Sequence, residues 1–398
     1  MAKKQMNTRE RFRAVMHFQE PDRLPFIEYV GIDPAAYLRW HEEGLPKIWD
    51  IAPFSPNNPT PTMYASHNLF VAGDYGMDYA SYFGIEPVGV SFGEVLPIDL
   101  GPIPRFVGEV VEEDDRYRII KDEGGGIQKV LRRTPSSYGM PMYIDFLVRD
   151  QEDWQRVKKR YDPYDARRYP LAWGTDELVK YYQRINRPVG LIITGFYAIG
   201  RHLMGTKNFS PIFYKDPMLA HDMMDFWADF LVESLRKGVE TLKSSIDYIY
   251  WHEDMSHKGG PIISPKVFRE FMLPGYKKVT DFLKSNGVDV INMDSDGDIR
   301  LLIPLWIEGG ITGSGPLECT PGLDIRDLKR EYPEVGWIGN IDKRALVKDK
   351  DAIKQEVDYK VPFMKEAGGC LPCVDHVVPP DVPFENYRFY CDYIKKFL

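Results

Sequence analysis

The chain reads as an α/β protein on a parallel sheet, with a closed (β/α)8 barrel as the economical form and an open doubly wound sheet as the alternative. Three observations predict it. From Asp150 onward, apolar runs alternate with amphipathic stretches at roughly 25- to 40-residue intervals, the rhythm of βα units. Acidic or histidine residues follow each of the last five apolar runs, where parallel folds place their chemistry. No apolar run is followed by G-x-G-x-x-G, and G-x-x-x-x-G-K-[ST] is absent, so dinucleotide and P-loop sheets lose support. At 398 residues and 43% hydrophobic composition a large core is possible, and barrels with insertions reach this length as one domain.

The elements follow in order. Asn7-Thr8-Arg9-Glu10 predicts a helix start with a capping box, and Phe12, Val15 and Met16 supply its buried face. Pro21-Asp22-Arg23 is a turn, and Leu24–Val30 reads as a first strand. Residues 31 to about 140 are irregular, as in Pro53-Phe54-Ser55-Pro56-Asn57-Asn58-Pro59. Within them, Phe106 to Arg133 has the pattern of a small antiparallel meander with turns at Glu113-Asp114-Asp115 and Gly124-Gly125-Gly126. We expect one domain, residues 1–398, with a β-rich insertion at about 31–140. Helices are expected at Gln151–Arg160 and Leu178–Arg187, and a strand at Pro188–Thr194. A long helix starts at Asp216-Pro217, a strand spans Ile246–Tyr250, and Ser264-Pro265 opens a helix to Lys284. The strand from Val288 turns abruptly acidic at Asp294, Asp296 and Asp298. Then come a helix at Ile299–Glu308, a short run ending at Glu318, and a strand at Val335–Gly339. A helix at Asp351–Glu366, a strand at Gly369–Val374 and a helix from Pro383 complete the chain.

Composition narrows the function. Net charge is −8 and long basic runs are absent, so nucleic acid and anionic membranes are unfavourable partners. The N-terminus has no apolar signal core, and no run approaches ~18 apolar residues. Four cysteines in so long a chain do not make a disulfide framework, and a reducing cytoplasm fits best. Aromatic residues at 13%, with 31 prolines, suggest a pocket-rich enzyme.

The residues after the late strands are His252-Glu253-Asp254, Asp294-Ser295-Asp296, Glu318, Asn340 with Asp342, and Asp375-His376. One carboxylate in a loop is ordinary; recurrence at the same structural position is not. Asp294 and Asp296, two apart at a strand end, point the same way. Such a pair can hold a metal or raise one partner's pKa; equally, each Asp can accept backbone N–H bonds. The spacing excludes an EF-hand, with Gly297 fourth and Leu305 twelfth. Cys370-x-x-Cys373 is better read as packing, because thiols three apart on a strand face opposite ways. His376 and His252 can act as general acid or ligand. We therefore expect His376, Asp294, Asp296, Glu318 and His252 as catalytic residues, and Asp294, Asp296 and His376 as the metal set. Phe196, Tyr197, Asn292, Asn340 and Asp342 are the expected substrate contacts.

Three stretches resemble the uroporphyrinogen decarboxylase superfamily: Thr8-Arg9-Glu10-Arg11-Phe12 with Pro21-Asp22-Arg23-Leu24-Pro25; Ile263-Ser264-Pro265 with Phe268, Glu270-Phe271 and Pro274; and Asp375-His376 with Pro379-Pro380-Asp381, Pro383 and Glu385-Asn386. The resemblance implies a (β/α)8 TIM barrel. It also implies decarboxylation of uroporphyrinogen or methyl transfer to or from corrinoid proteins or thiols. The arginine-rich R-Q-A-G-R-Y segment of the decarboxylases is missing; the chain reads Val30-Gly31-Ile32-Asp33-Pro34. The His-x-Cys of the thiol-directed methyltransferases is replaced, with Asp294 and Asp296 at those places and Asp375 or His376 near the later Cys. What remains resembles the first methyltransferase component of anaerobic O-demethylation systems. That component takes a methyl group from a small donor, an aryl methyl ether foremost, to the cob(I)alamin of a partner corrinoid protein. Zinc, which prefers N and S but accepts carboxylate, is the cofactor this residue set could hold, and a homodimer is an expected assembly. Two other classes stay open: a decarboxylase acting on a carboxylated substrate, and a barrel that only binds a corrinoid protein or tetrapyrrole.

Overall fold

The computed structural model describes residues 5–47, 75–131 and 142–398. The run Pro53–Pro59 lies outside them, as does the end of the expected meander at Arg133. Thirteen strands are described: β1 (Glu94–Val95), β2 (Glu109–Glu113), β3 (Tyr117–Lys121), β4 (Ile127–Leu131), β5 (Met142–Asp145), β6 (Val189–Thr194), β7 (Tyr248–His252), β8 (Ser256–His257), β9 (Gly260–Pro261), β10 (Ile291–Asp294), β11 (Gly313–Leu317), β12 (Gly336–Ile341) and β13 (Cys370–Val374). Seven pair in parallel in the order β1-β6-β7-β10-β11-β12-β13, with helices between them, and the sheet curls as an α/β barrel wall. β2 to β5 form the antiparallel meander, one strand longer than expected, and β8-β9 make a small hairpin.

The predicted caps hold the helices. Asn7 and Glu10 form the capping box of Thr8–Met16. Asp216 accepts from the Leu219 amide at 3.1 Å, and Ser264 from that of Val267 at 3.2 Å. The helix from Pro265 is not regular: Phe268–Met272 forms a π turn just ahead of Pro274, which has no N–H to give the carbonyl four residues back. Within the stretch read as irregular, Pro34–Glu42 and Tyr75–Phe83 are helical. Asp33-Pro34, a capping carboxylate before a first-turn proline, was the available signal for the former.

Leu24–Val30 is not a ladder strand, which corrects the expected first strand. It bonds to the stretch ahead of β1 on one side and to β13 on the other. On one side the carbonyls of Phe26 and Tyr29 accept from Glu86 and Val90 amides at 2.7 and 3.0 Å. On the other, the buried Glu28 carboxylate accepts from the Val374 amide at 3.3 Å, in place of a backbone carbonyl. Its alternation persists: Ile27 and Tyr29 join the lumen cluster with Tyr248, Tyr250, Ile338, Leu371 and Cys373. Ile249, Trp251, Ile291, Met293, Trp337 and Cys370 face the helices instead. Cys370 and Cys373 thus enter different clusters, as their spacing predicts. Among the described residues no helix is long and apolar enough to cross a membrane.

Candidate active site

Period-two alternation decides which residue at each strand end faces the lumen. On β7, Tyr248 and Tyr250 face inward, so His252 continues inward at the carboxyl end while Glu253 turns out. The ladder pairs His252 directly with Asp294 on β10. Their side chains meet, with Nδ1 of His252 2.6 Å from Asp294 Oδ2. Asp254 stands 3.8 Å from His252 Nε2 and accepts from Arg201 Nη2 at 3.1 Å. His376 Nε2 lies 3.5 Å from Asp296 Oδ1. Glu318 accepts from the Gly297 amide at 3.0 Å and from Lys343 Nζ at 3.3 Å. The fully buried Asp375 accepts from the amides of Cys319 and Lys343 at 2.9 and 3.1 Å, tying together the loops after β11 and β12. The structure therefore brings His252, Asp294, Asp296, Glu318 and His376 to one mouth.

The five expected substrate contacts fare differently. Phe196 and Tyr197 are fully buried in the core outside the lumen. Glu253 accepts from the amides of Phe196, Tyr197 and Ala198, fixing this helix start so that Phe196 stacks on Trp251 and Tyr276. Asn340 is buried and braces the 317–325 loop, accepting from the Ile325 amide at 3.0 Å and donating to Leu323 O at 3.1 Å. Asp342 caps the helix Lys343–Lys348 and pairs with Arg344. These four are scaffold, a correction to the expected substrate contacts: local caps and core packing take up the groups that would meet a ligand. Asn292 does face the lumen, but it is buried below the mouth and donates to the Tyr29 hydroxyl at 3.0 Å. Asp254, named in the row after the late strands, was left out of the expected site, and Arg201 and Lys343 were not singled out. Asp254 sits two residues beyond His252, which is the spacing that singled out Asp294 and Asp296.

Charge is divided unevenly here. Loss of water opposes a proton on His252, but Asp254 and Asp294 outweigh it and raise its pKa to about 9. Burial pushes Asp254 up, yet His252 and Arg201 pull it down to about 2. Asp296 is held well above the usual carboxylate range by loss of water and by Asp254, Asp294 and Glu318. Its carboxyl is still half-exposed, so the three like charges are the cause that weighs most. Burial and Lys343 push His376 down, against Asp294 and Glu318. The mouth thus holds a protonation-prone carboxyl beside a proton-poor imidazole.

A cation would find a different donor set from the expected Asp294, Asp296 and His376. His252, Asp254 and Asp294 offer ligand atoms all within 4.8 Å of one another, while the His376 Nε2 is turned to Asp296. The buried His252 Nε2 has no hydrogen-bond partner, which fits a nitrogen ligand whose other ring nitrogen is oriented by a carboxylate.

Comparison with known proteins agrees with the fold. Uroporphyrinogen decarboxylase of Prochlorococcus marinus subsp. pastoris is 26% identical over 196 residues, 48% of this chain and 53% of that protein. The enzyme of the same name from Carboxydothermus hydrogenoformans is 25% identical over 190 residues, 46% and 51% of the two chains. The chain spans about half the length of the curated relatives it matches. The solved structure of a methyltransferase from Methanosarcina mazei superposes with a TM-score of 0.56 over 98% of this chain and 99% of that one, at 14% identity, and shares the fold. The family model for uroporphyrinogen decarboxylase (URO-D) matches residues 138–397, from ahead of β5 through β13 and the whole carboxyl-end cluster, and the chain belongs to that family.

Proposed function

We propose that this protein is a methyltransferase that takes a methyl group from a small methylated donor, an aryl methyl ether foremost, and passes it to the cob(I)alamin of a separate corrinoid protein. The observation that carries this reading is the Asp296–His376 pair, with its proton held by surrounding carboxylates at the base of the mouth. An ether oxygen leaves poorly unless it is protonated as the carbon–oxygen bond breaks. Asp296 donates that proton, and His376 orients the acid and shares the proton with it. His252, Asp254 and Asp294 would hold a zinc ion if one is bound; the ion would offset the carboxylates that hold the Asp296 proton and would supply Lewis-acid help at the same oxygen in its place. The nucleophile for the methyl group is the partner's reduced corrinoid. The methyltransferase fold neighbour supports the reading. So does the missing arginine-rich segment, without which a tetrapyrrole with many carboxylates has no cationic clamp. The reading treats the chain as one cytoplasmic catalytic domain, with residues 31–140 as its insertion.

A decarboxylase acting on a carboxylated substrate is the second reading, favoured by the curated relatives' names. The test is to mix the protein with cob(I)alamin, with and without a corrinoid protein, and a panel of methoxylated aromatics and methylamines. Methylcobalamin formation is the expected result; carbon dioxide release from carboxylated substrates without it would transfer the assignment to the decarboxylase. Metal analysis of the purified protein and of His252→Ala checks the cation site: zinc, where present, is lost in the variant.

A further inference from the structure

We propose that Glu253 is the positioning residue of the mouth: its buried carboxylate holds the backbone turn that presents Asp254 to His252, and so sets how tightly His252, Asp254 and Asp294 hold a divalent cation. The inference rests on the cation-site part of the proposed function and not on the identity of the methyl donor.

Asp254 has φ +52°, a left-handed backbone that a residue with a Cβ seldom adopts unless its surroundings impose it. The restraints lie on both sides of it. Ahead of it, Glu253 turns away from the lumen and is fully buried, and its carboxylate accepts five bonds. Three come from the amides of Phe196, Tyr197 and Ala198 at 2.8, 2.7 and 3.0 Å. The others come from the Trp251 indole at 3.1 Å and from the Tyr276 hydroxyl. The carboxylate thus caps the positive end of the helix Phe196–Met204, which has no side-chain cap of its own. Gly195 leaves the room: a Cβ there would stand 2.1 Å from the Glu253 carboxyl carbon. The Glu253 amide donates to Asp294 O at 2.9 Å. Behind Asp254, the Met255 amide donates to Ser295 Oγ at 3.0 Å. The turn is pinned on either side of the strained residue.

Of the three cation donors, Asp254 is the one that needs such a hold. His252 and Asp294 are paired in register by the β7–β10 ladder. Asp254 lies beyond the end of β7. The pinned turn sets its Oδ2 3.8 Å from His252 Nε2 and 3.1 Å from Arg201 Nη2. Arg201 rides on the helix whose first amides Glu253 holds. One carboxylate therefore fixes both the chain that carries Asp254 and the helix that carries its counter-ion. Groups that orient metal ligands without touching the ion act on affinity through this kind of constraint.

Zinc affinity, read without any methyl donor, tests the proposal. The full chain, stripped of metal, would compete with a chromophoric chelator for Zn2+ as wild type, Glu253→Gln, Tyr276→Phe and Leu231→Ala, with thermal unfolding of each. Glu253→Gln faces its amide group to an N–H donor whichever way it turns, and should weaken zinc binding roughly 10- to 100-fold. Tyr276→Phe removes one of the five donors and should weaken it less, in the same direction. Leu231→Ala opens the outer core away from the mouth, and should lower the unfolding temperature while leaving zinc affinity unchanged. Wild-type affinity in Glu253→Gln overturns the proposal. So does a loss in Leu231→Ala that matches it at equal cost in unfolding temperature, since zinc would then report a general softening of the core. If Glu253→Gln does not fold, Tyr276→Phe decides: weakened zinc binding supports the proposal and unchanged binding overturns it. A wild type that binds no zinc also overturns it, and leaves the methyl-transfer reading standing on the Asp296–His376 pair. Zinc affinity lost in Glu253→Gln, with no methylcobalamin formed from any donor by wild type, keeps the role of Glu253 and sinks the methyl-transfer reading.

Discussion

At the scale of single residues, the proposed reading separates the group that would give a proton from the groups that fix its surroundings. Asp296 faces three carboxylates and touches His376, so replacing it by Asn removes the proton without changing its size. General acids contribute ~100- to 10,000-fold, and Asp296→Asn should lose turnover of an ether donor within that range while the protein stays folded. The loss should be much smaller for a quaternary or sulfonium donor, whose leaving group departs without protonation. Initial rates of methylcobalamin formation on the paired donors check this. An equal loss on both would give Asp296 a positioning role. His376→Ala should follow the same pattern with a smaller ether penalty, since it shares the proton and does not deliver it.

At the scale of elements, the loop after β10 depends on a close approach. Gly297 has φ +84°, and a Cβ there would stand 2.5–2.7 Å from the His257 backbone of the β8–β9 hairpin. The Asp298 amide donates to His257 O at 2.9 Å, and the Gly297 amide holds Glu318. Any side chain at 297 must therefore push hairpin and loop apart. Gly297→Ala should cost about 1–3 kcal/mol in denaturant unfolding and should also lower activity, because Asp296 rides on the same turn. Stability lost with activity intact would show that the hairpin yields and the acid does not move.

At the scale of the whole molecule, the Leu24–Val30 segment links the stretch ahead of β1 to β13, and the Glu28 carboxylate is one of its polar contacts with β13. Burial raises the Glu28 pKa to about 8, against bonds from the Val374 amide and the Tyr387 hydroxyl. The folded state thus holds a proton that an unfolded carboxylate, with a pKa near 4.3, has released. Stability is full below the unfolded pKa and falls as pH rises toward about 8. Glu28→Gln keeps the acceptor for Val374 and removes that slope. Thermal unfolding should show the variant gaining several degrees on wild type between about pH 5 and about pH 8.5. A pH-independent difference would mean that Glu28 is ionised and paired in the folded protein.

The sequence by itself determined the local features: caps at Asn7, Asp216 and Ser264, the late strands to within two residues except β10, which starts three residues after the expected Val288, and the opposite facing of Cys370 and Cys373. Each follows from periodicity and capping chemistry, which act over a few residues. The row of acidic and histidine residues after successive strands was legible for the same reason, since parallel strands end on one face. What the tertiary structure decided was which side chain at each strand end meets which. Phe196 and Tyr197 sit after a strand like the others, yet Glu253 anchors their helix start and sends both into the outer core. Asn340 and Asp342 are taken up by a loop brace and a helix cap. Asp254 and Arg201, 53 residues apart in sequence, become partners only when β6 and β7 pair and bring the segments after them together. Leu24–Val30 alternates like a strand, but it bonds to loops and a buried carboxylate where a ladder would be. Contacts between residues far apart in the chain depend on register and packing, and no local pattern encodes them.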